Sequence, residues 1–179
     1  MLIRLERLFD RFSDALGYLA GFLMVAMLLN VFYDAIMRYC FRSGSIALQE
    51  MEWHLFSVIF LIGIAYTLKE DAHVRVDIIY DHFSVRGKAL INIIGTFVFL
   101  LPICWLIADG SIGFVKEAYE FNEISGDPGG LTHRYLIKAV IPVSFVLVMI
   151  SAVGFVLRNI NVYRGVKEIK KHRVEDEIL

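Results

Sequence analysis

The chain has 179 residues, 58% of them hydrophobic and only 21% charged, with a mean hydropathy of +0.62. One small core cannot hide that much apolar surface from water, which excludes an ordinary soluble globular domain. With 18 basic and 19 acidic residues the net charge is −1, so nothing draws the chain to nucleic acid, and two cysteines, Cys40 and Cys104, are too few for a disulfide framework or a zinc site.

Residues 1–14 read as an amphipathic arm. Leu2, Leu5, Leu8, Phe9, Phe12 and Leu16 recur at helical spacing, with Arg4, Arg7, Arg11 and Asp14 on the other face. Two readings stay open: a helix lying in the membrane interface with its basic side among anionic phospholipid headgroups, or a plain cytoplasmic extension of the first span. An uncharged run from Ala15 to Tyr33 follows, and the first transmembrane helix is placed at 15–37. It is not a signal peptide: Asp10, Arg11 and Asp14 interrupt the approach, the apolar run is too long, and no Ala-x-Ala site follows. Gly17 and Gly21 form a small-residue step that would let another helix come close. Asn30, Asp34 and Arg38 recur every four residues. Asp34 ahead of Arg38 is the favourable order for an i, i+4 ion pair, and such groups are costly against lipid, so they face another helix or, alternatively, Arg38 snorkels with Asp34 satisfied locally.

Three more uncharged runs, Trp53–Leu68, Ala89–Ala108 and Ala139–Leu157, are long enough with their flanks to cross about 30 Å of hydrocarbon at about 1.5 Å per residue. They place the remaining spans at 51–69, 89–108 and 136–157. Between the second and third, Val76, Ile79, Tyr80 and Phe83 make a second interfacial stripe. After the third, Ile112, Val115 and Tyr119 continue a helical pattern outward to the breaker Ser125-Gly126-Asp127-Pro128-Gly129-Gly130. The connection at 109–135 is acidic through Asp109, Glu117, Glu120, Glu123 and Asp127, and 158–179 is a basic tail.

Thirteen Lys and Arg lie in the arm, the 69–88 connection and the tail, against five in the other two connections. The positive-inside rule then sets both termini in the cytoplasm. The expected fold is an all-α integral membrane protein of four transmembrane helices with interfacial helices, N-in and C-in, in a single domain.

Two i, i+4 pairs have ligand spacing, Glu50 with His54 and His73 with Asp77. The topology sets them at opposite ends of the second span, so they do not combine into one metal site, and His82, His133 and His172 lie in connections or the tail rather than facing each other as haem ligands would. A membrane anchor for a redox, haem-binding complex is nevertheless the competing class. No nucleophile elbow, phosphate-cradling glycine loop or HExxH helix occurs. No catalytic residue, cofactor or metal ligand is assigned. A complete transporter would carry matched broken helices and ionisable groups at the midplane. Pro102 and Pro142 sit singly in the third and fourth spans, and Asn92 with Thr96 adds only a modest polar face, which favours a supporting subunit.

The residues themselves carry a resemblance. Asn30-Val31 with Arg38-Tyr39, then Leu48-Gln49-Glu50-Met51-Glu52-Trp53-His54-Leu55-Phe56, Gly63-Ile64-Ala65-Tyr66-Thr67-Leu68-Lys69, His73-Val74-Arg75-Val76-Asp77, Gly126-Asp127-Pro128-Gly129-Gly130-Leu131, and Arg134 with the stretch from Ile137 to Pro142 resemble the DctQ-type small membrane subunit of tripartite ATP-independent periplasmic (TRAP) transporters. The similarity runs from about residue 15 to 160; Ala47 departs from it, where many members have Trp. The resemblance implies a multi-pass protein of the bacterial inner membrane, a periplasmic 109–135 connection, a large elevator-type membrane subunit as partner, a periplasmic binding protein that delivers an organic anion, and sodium-coupled uptake. It implies no enzyme activity. Arg38, Glu50, His73, Arg75 and Asp77 match its motif positions and, together with Asn30 and Asp34, are expected to contact the large subunit or phospholipids, while Glu117, Glu120, Glu123 and Asp127 of the acidic connection are expected to receive the binding protein.

Overall fold

The computed structural model describes residues 2–73, 80 and 82–166. Four long helices account for nearly all of them: α1 (Leu2–Cys40), α2 (Ile46–Glu70), α3 (Val85–Glu120) and α4 (Tyr135–Tyr163), each long and apolar enough to cross a membrane. Both ends of the described chain lie at one end of the bundle, labelled inner after the charge-based expectation, and the 41–45 and 121–134 connections lie at the other, labelled outer. Val76 and Ile79 of the second stripe, and the tail from 167, lie outside the described residues.

Each helix stops where the backbone leaves the right-handed region. α1 gives way at Arg42 (φ 52°), and α2 ends on Asp71 (φ 61°), whose N–H reaches the Leu68 carbonyl at 3.2 Å while the Ala72 N–H reaches that of Thr67 at 3.1 Å. Asp and Asn tolerate this left-handed turn better than other side chains do, and Asn122 (φ 45°) does the same after α3. Ser84 caps the start of α3, its hydroxyl accepting the Gly87 N–H at 3.2 Å. Within α3, Thr96–Leu100 form one π turn, with the Leu101 N–H reaching the Thr96 carbonyl. Pro102 follows; lacking an N–H and crowding the turn before it, it explains why the helix widens there.

Packing is centred on α4, which contacts α1, α2 and α3, whereas α1 otherwise packs mainly on α2, and α3 leans chiefly on α4. A third of the most apolar stretch of α4 is buried and none of that of α1. The core lies towards the inner half, where Ala65 and Leu68 of α2, Cys104 of α3, and Val148, Ala152 and Phe155 of α4 meet, with Leu16 of α1 against them. Small side chains permit this close approach, because lipid supplies no hydrophobic drive and association rests on contact and polar pairs. Cys104 is buried and Cys40 exposed, both as free thiols.

The first 14 residues are continuous with the rest of α1 in one helix. The apolar stripe does not lead inward as a block: Leu5 and Leu8 are exposed, while Glu6 and Ser13 are fully buried. The reason is what α4 presents. Asn161 donates from its amide to the Glu6 carboxylate, Ser13 Oγ donates to Ser151 Oγ at 2.9 Å, and between them Gly154 lies under Phe9. A methyl group built on Gly154 would stand 2.7 Å from Phe9 Cβ. The Gly-xxx-Gly step divides likewise: a methyl on Gly17 would meet the Tyr66 ring at 2.6 Å, whereas Gly21 has nothing within 4 Å.

Gly154→Ala is therefore expected to lower the stability of the purified protein in detergent by about 1–3 kcal/mol, the cost of overpacking a close contact, with Gly21→Ala unchanged or slightly more stable. Thermal midpoints of the two variants check this, and equal midpoints would refute the α1–α4 contact.

Candidate functional site

At the outer end the 121–134 connection is a built structure. The end of α3 turns through hydrogen bonds from the Glu123 N–H to the Ala118 carbonyl (2.9 Å) and from the Asn122 N–H to that of Tyr119 (3.1 Å). The chain then folds back so that the Ser125 N–H meets the Leu131 carbonyl at 3.0 Å and the Arg134 N–H that of Glu123 at 3.1 Å. Gly129 takes a φ of 86°, and Gly130 is wedged so that an added methyl would stand 2.5 Å from Ser125 and 2.8 Å from a Glu50 carboxylate oxygen. The breaker motif is therefore a clasp in which Gly129 and Gly130 are required by the geometry.

Glu50, buried in the first turns of α2, closes the clasp. One carboxylate oxygen accepts the Ser125 hydroxyl and the other the Leu131 N–H, and Ser125 Oγ in turn accepts the Asp127 N–H at 3.1 Å. A carboxylate, acceptor on both oxygens, suits the two donors, the Ser125 hydroxyl and the Leu131 N–H, that the loop turns towards it. Around it the Arg134 guanidinium lies 5.6 Å over the Trp53 ring, Lys138 pairs with Glu123 and sits 3.8 Å over the Phe114 ring, and Tyr119 meets Tyr135 edge-on at 5.2 Å. α2, α3, α4 and the connection are thus pinned to one another outside the apolar core.

The expected site residues divide accordingly. Asn30 donates from its amide to the Leu48 carbonyl at 2.9 Å, tying α1 to the first turn of α2. Asp34 is buried and paired with the half-exposed Arg38; its other oxygen has no hydrogen-bond partner among the described residues. Glu50 and His54 do not act as a ligand pair: the imidazole Nδ1 sits 2.6 Å from the Glu50 backbone carbonyl, and the carboxylate goes to the clasp. His73 is exposed beyond the inner end of α2; Arg75 and Asp77 lie outside the described residues. Of the four outer acids, Glu117, Glu120 and Asp127 are exposed, while Glu123 is half-buried between Lys138 and Arg134.

A second knot at the inner end was not legible as a unit. The Lys69 ammonium reaches Asp14 and lies 3.0 Å from Glu70, the Arg158 guanidinium donates to the Lys69 carbonyl at 2.8 Å, and Tyr80, Asn92 and Asn159 form a chain at 3.2 and 2.9 Å. The pairing of Asn92 with Asn159, and of Glu6 with Asn161, follows from the meeting of helices far apart in sequence. The only local signal was the density of polar residues at 158–161, one turn beyond an uncharged run.

The family of tripartite ATP-independent periplasmic transporters, DctQ component, matches residues 27–162. The chain belongs to the DctQ family. Two Haemophilus influenzae proteins, both assigned the name TRAP transporter small permease protein, are similar to it. One is 33% identical over 150 residues, covering 82% of this chain and 92% of its own; the other is 27% identical over 142 residues, covering 79% and 85%. As a DctQ component with four spans, the chain is a small permease subunit of a TRAP transporter and a multi-pass protein of the bacterial inner membrane. The family is a transport component and not an enzyme family. The matched region takes in both the Glu50 clasp and the α4 face that collects the other helices.

Glu50→Gln puts an amide donor where the clasp needs an acceptor, at an expected cost of about 1–3 kcal/mol. Limited proteolysis of the purified protein should cut within 121–134 faster in Glu50→Gln and in Gly130→Ala than in wild type; unchanged cleavage in both would remove the clasp as a structural element.

Proposed function

We propose that this DctQ subunit braces the stationary part of a TRAP transporter, against which a large, elevator-type membrane subunit moves in sodium-coupled uptake of an organic anion delivered by a periplasmic binding protein. The observation that carries the reading is where the polar groups go. Ser13, Asn30, Asn92 and Asn159 spend their hydrogen bonds on neighbouring helices of the same chain, and Glu50 spends its carboxylate on the clasp. Such an investment stiffens a bundle. A moving neighbour does work across the bilayer only if its counterpart is not dragged along, and a bundle tied at both ends resists that.

In this reading both termini face the cytoplasm and the clasp faces the periplasm, with positive-inside charge as support. The large subunit covers exposed apolar faces of the bundle, with Arg38, His73, Arg75 and Asp77 contacting it or phospholipid at the rims, while the buried Asp34 holds Arg38 and Asn30 ties α1 to α2. Glu117, Glu120 and Asp127 meet the binding protein, and Glu123 holds the platform through Lys138. Exposed charges of this kind act mainly on encounter rate.

Two experiments test this. Proteoliposomes containing this chain alone should show no sodium-driven uptake, while the chain with its large subunit and binding protein should; flux through the isolated chain would overturn the brace. Reversing Glu117, Glu120 and Asp127 to Lys should slow uptake several-fold at low ionic strength, with the difference shrinking at high salt as screening sets in. Rates independent of salt in both proteins would remove the outer acids from docking.

A further inference from the structure

The face of α1 opposite its contact with α4 carries a ridge that the packing does not use. Arg4, Arg7 and Arg11 follow one another at i, i+3 and i+7, and with Leu8 they line an open concavity of about 270 Å³. All three are exposed, and none forms an ion pair or hydrogen bond among the described residues. Of the nearby acids, Glu6 accepts from Asn161 and Asp14 pairs with Lys69, so neither carboxylate is directed at the ridge. The buried side of the helix is fixed by Glu6, Phe9 and Ser13, so the ridge cannot turn inward.

Depth decides what meets it. Lys69, Glu70, Asp14 and Arg158 gather at one level, and such a cluster marks the edge of the hydrocarbon. Counting back from Asp14 at 1.5 Å per residue, Arg11, Arg7 and Arg4 stand about 4, 10 and 15 Å beyond that edge. The headgroup layer is roughly 5–8 Å thick. Arg11 lies within it, the long side chain of Arg7 reaches its outer edge, and Arg4 stands further out, within a Debye length of the headgroups, so that its charge still acts on them. Exposed Leu5 and Leu8 flank the ridge, and exposed Tyr18 and Leu19 continue below it along the acyl region.

We propose that Arg4, Arg7 and Arg11 form a binding site for an anionic phospholipid of the leaflet at the inner end of the bundle, its phosphodiester held by the guanidinium forks and its acyl chains lying along α1 below Leu8. The site is independent of the bracing role. The lipid pins α1 at a fixed depth, and the site prefers phosphatidylglycerol to the zwitterionic phosphatidylethanolamine.

The test is native mass spectrometry of the full-length chain with its co-purified large subunit, released from nanodiscs of equal phosphatidylethanolamine and phosphatidylglycerol. Wild type should retain phosphatidylglycerol at least about tenfold more than Arg4→Gln/Arg7→Gln/Arg11→Gln, the scale expected for several basic groups at a membrane surface. The triple Lys variant should keep most of the preference, and millimolar inorganic phosphate should not displace the lipid. Equal retention in wild type and the Gln variant would overturn the proposal. So would displacement by inorganic phosphate, which would make the ligand a soluble anion, or loss of the large subunit from the Gln variant with lipid retained, which would make the ridge a protein contact. If the triple variant fails to insert, the three single Gln variants should each lower retention, and no change in any of them would refute the site.

Discussion

Within a bilayer an apolar side chain gains nothing by exchanging lipid for protein, so four apolar helices need some other reason to stay together. In this chain the reason is the buried face of α4. Ser151 and Asn161 bind α1, Asn159 binds Asn92 of α3, and Gly154 lets Phe9 sit against the backbone. Remove those few contacts and the remaining apolar surfaces would be as well served by lipid. Pairing with Asn161 and Ser151 turns Glu6 and Ser13, not the leucines of the arm, towards α4.

Outside the hydrocarbon the balance differs, because water competes for every hydrogen bond and a connection is ordered only where it is better paired internally. The 121–134 connection meets that condition through a single carboxylate. Glu50 supplies acceptors that the loop lacks, and Gly130 supplies the space for them. At the inner end the Lys69, Asp14 and Arg158 contacts do the corresponding work between α1, α2 and α4. The bundle is held at its two rims and at one interior seam, and the outer half of α1 is left with exposed aromatic and aliphatic side chains such as Phe22, Leu29 and Phe32.

That distribution is coherent with a DctQ subunit as a brace. Polar groups directed inward give rigidity, the apolar exterior is free for lipid or a hydrophobic partner, and charge collects at the two surfaces, acidic around Glu117 and Glu120 and basic along Arg4, Arg7 and Arg11.

The sequence by itself determined the four spans and the family, because the cost of burying charge in hydrocarbon is written directly into the spacing of Asp, Glu, Lys and Arg, and the motifs around Glu50 and Gly126 are local. It also singled out Asn30, Asp34 and Arg38 as residues in need of partners, since polar groups at those depths are costly alone, and marked Glu50 by its motif. Which partners they take was decided only by tertiary structure. Glu50 finds Ser125 and the Leu131 N–H, Glu6 finds Asn161, and Ser13 finds Ser151. Such pairs depend on the relative rotation and register of helices distant in the chain, which neither residue's neighbours encode, and a stripe of leucines cannot announce that it faces lipid rather than α4.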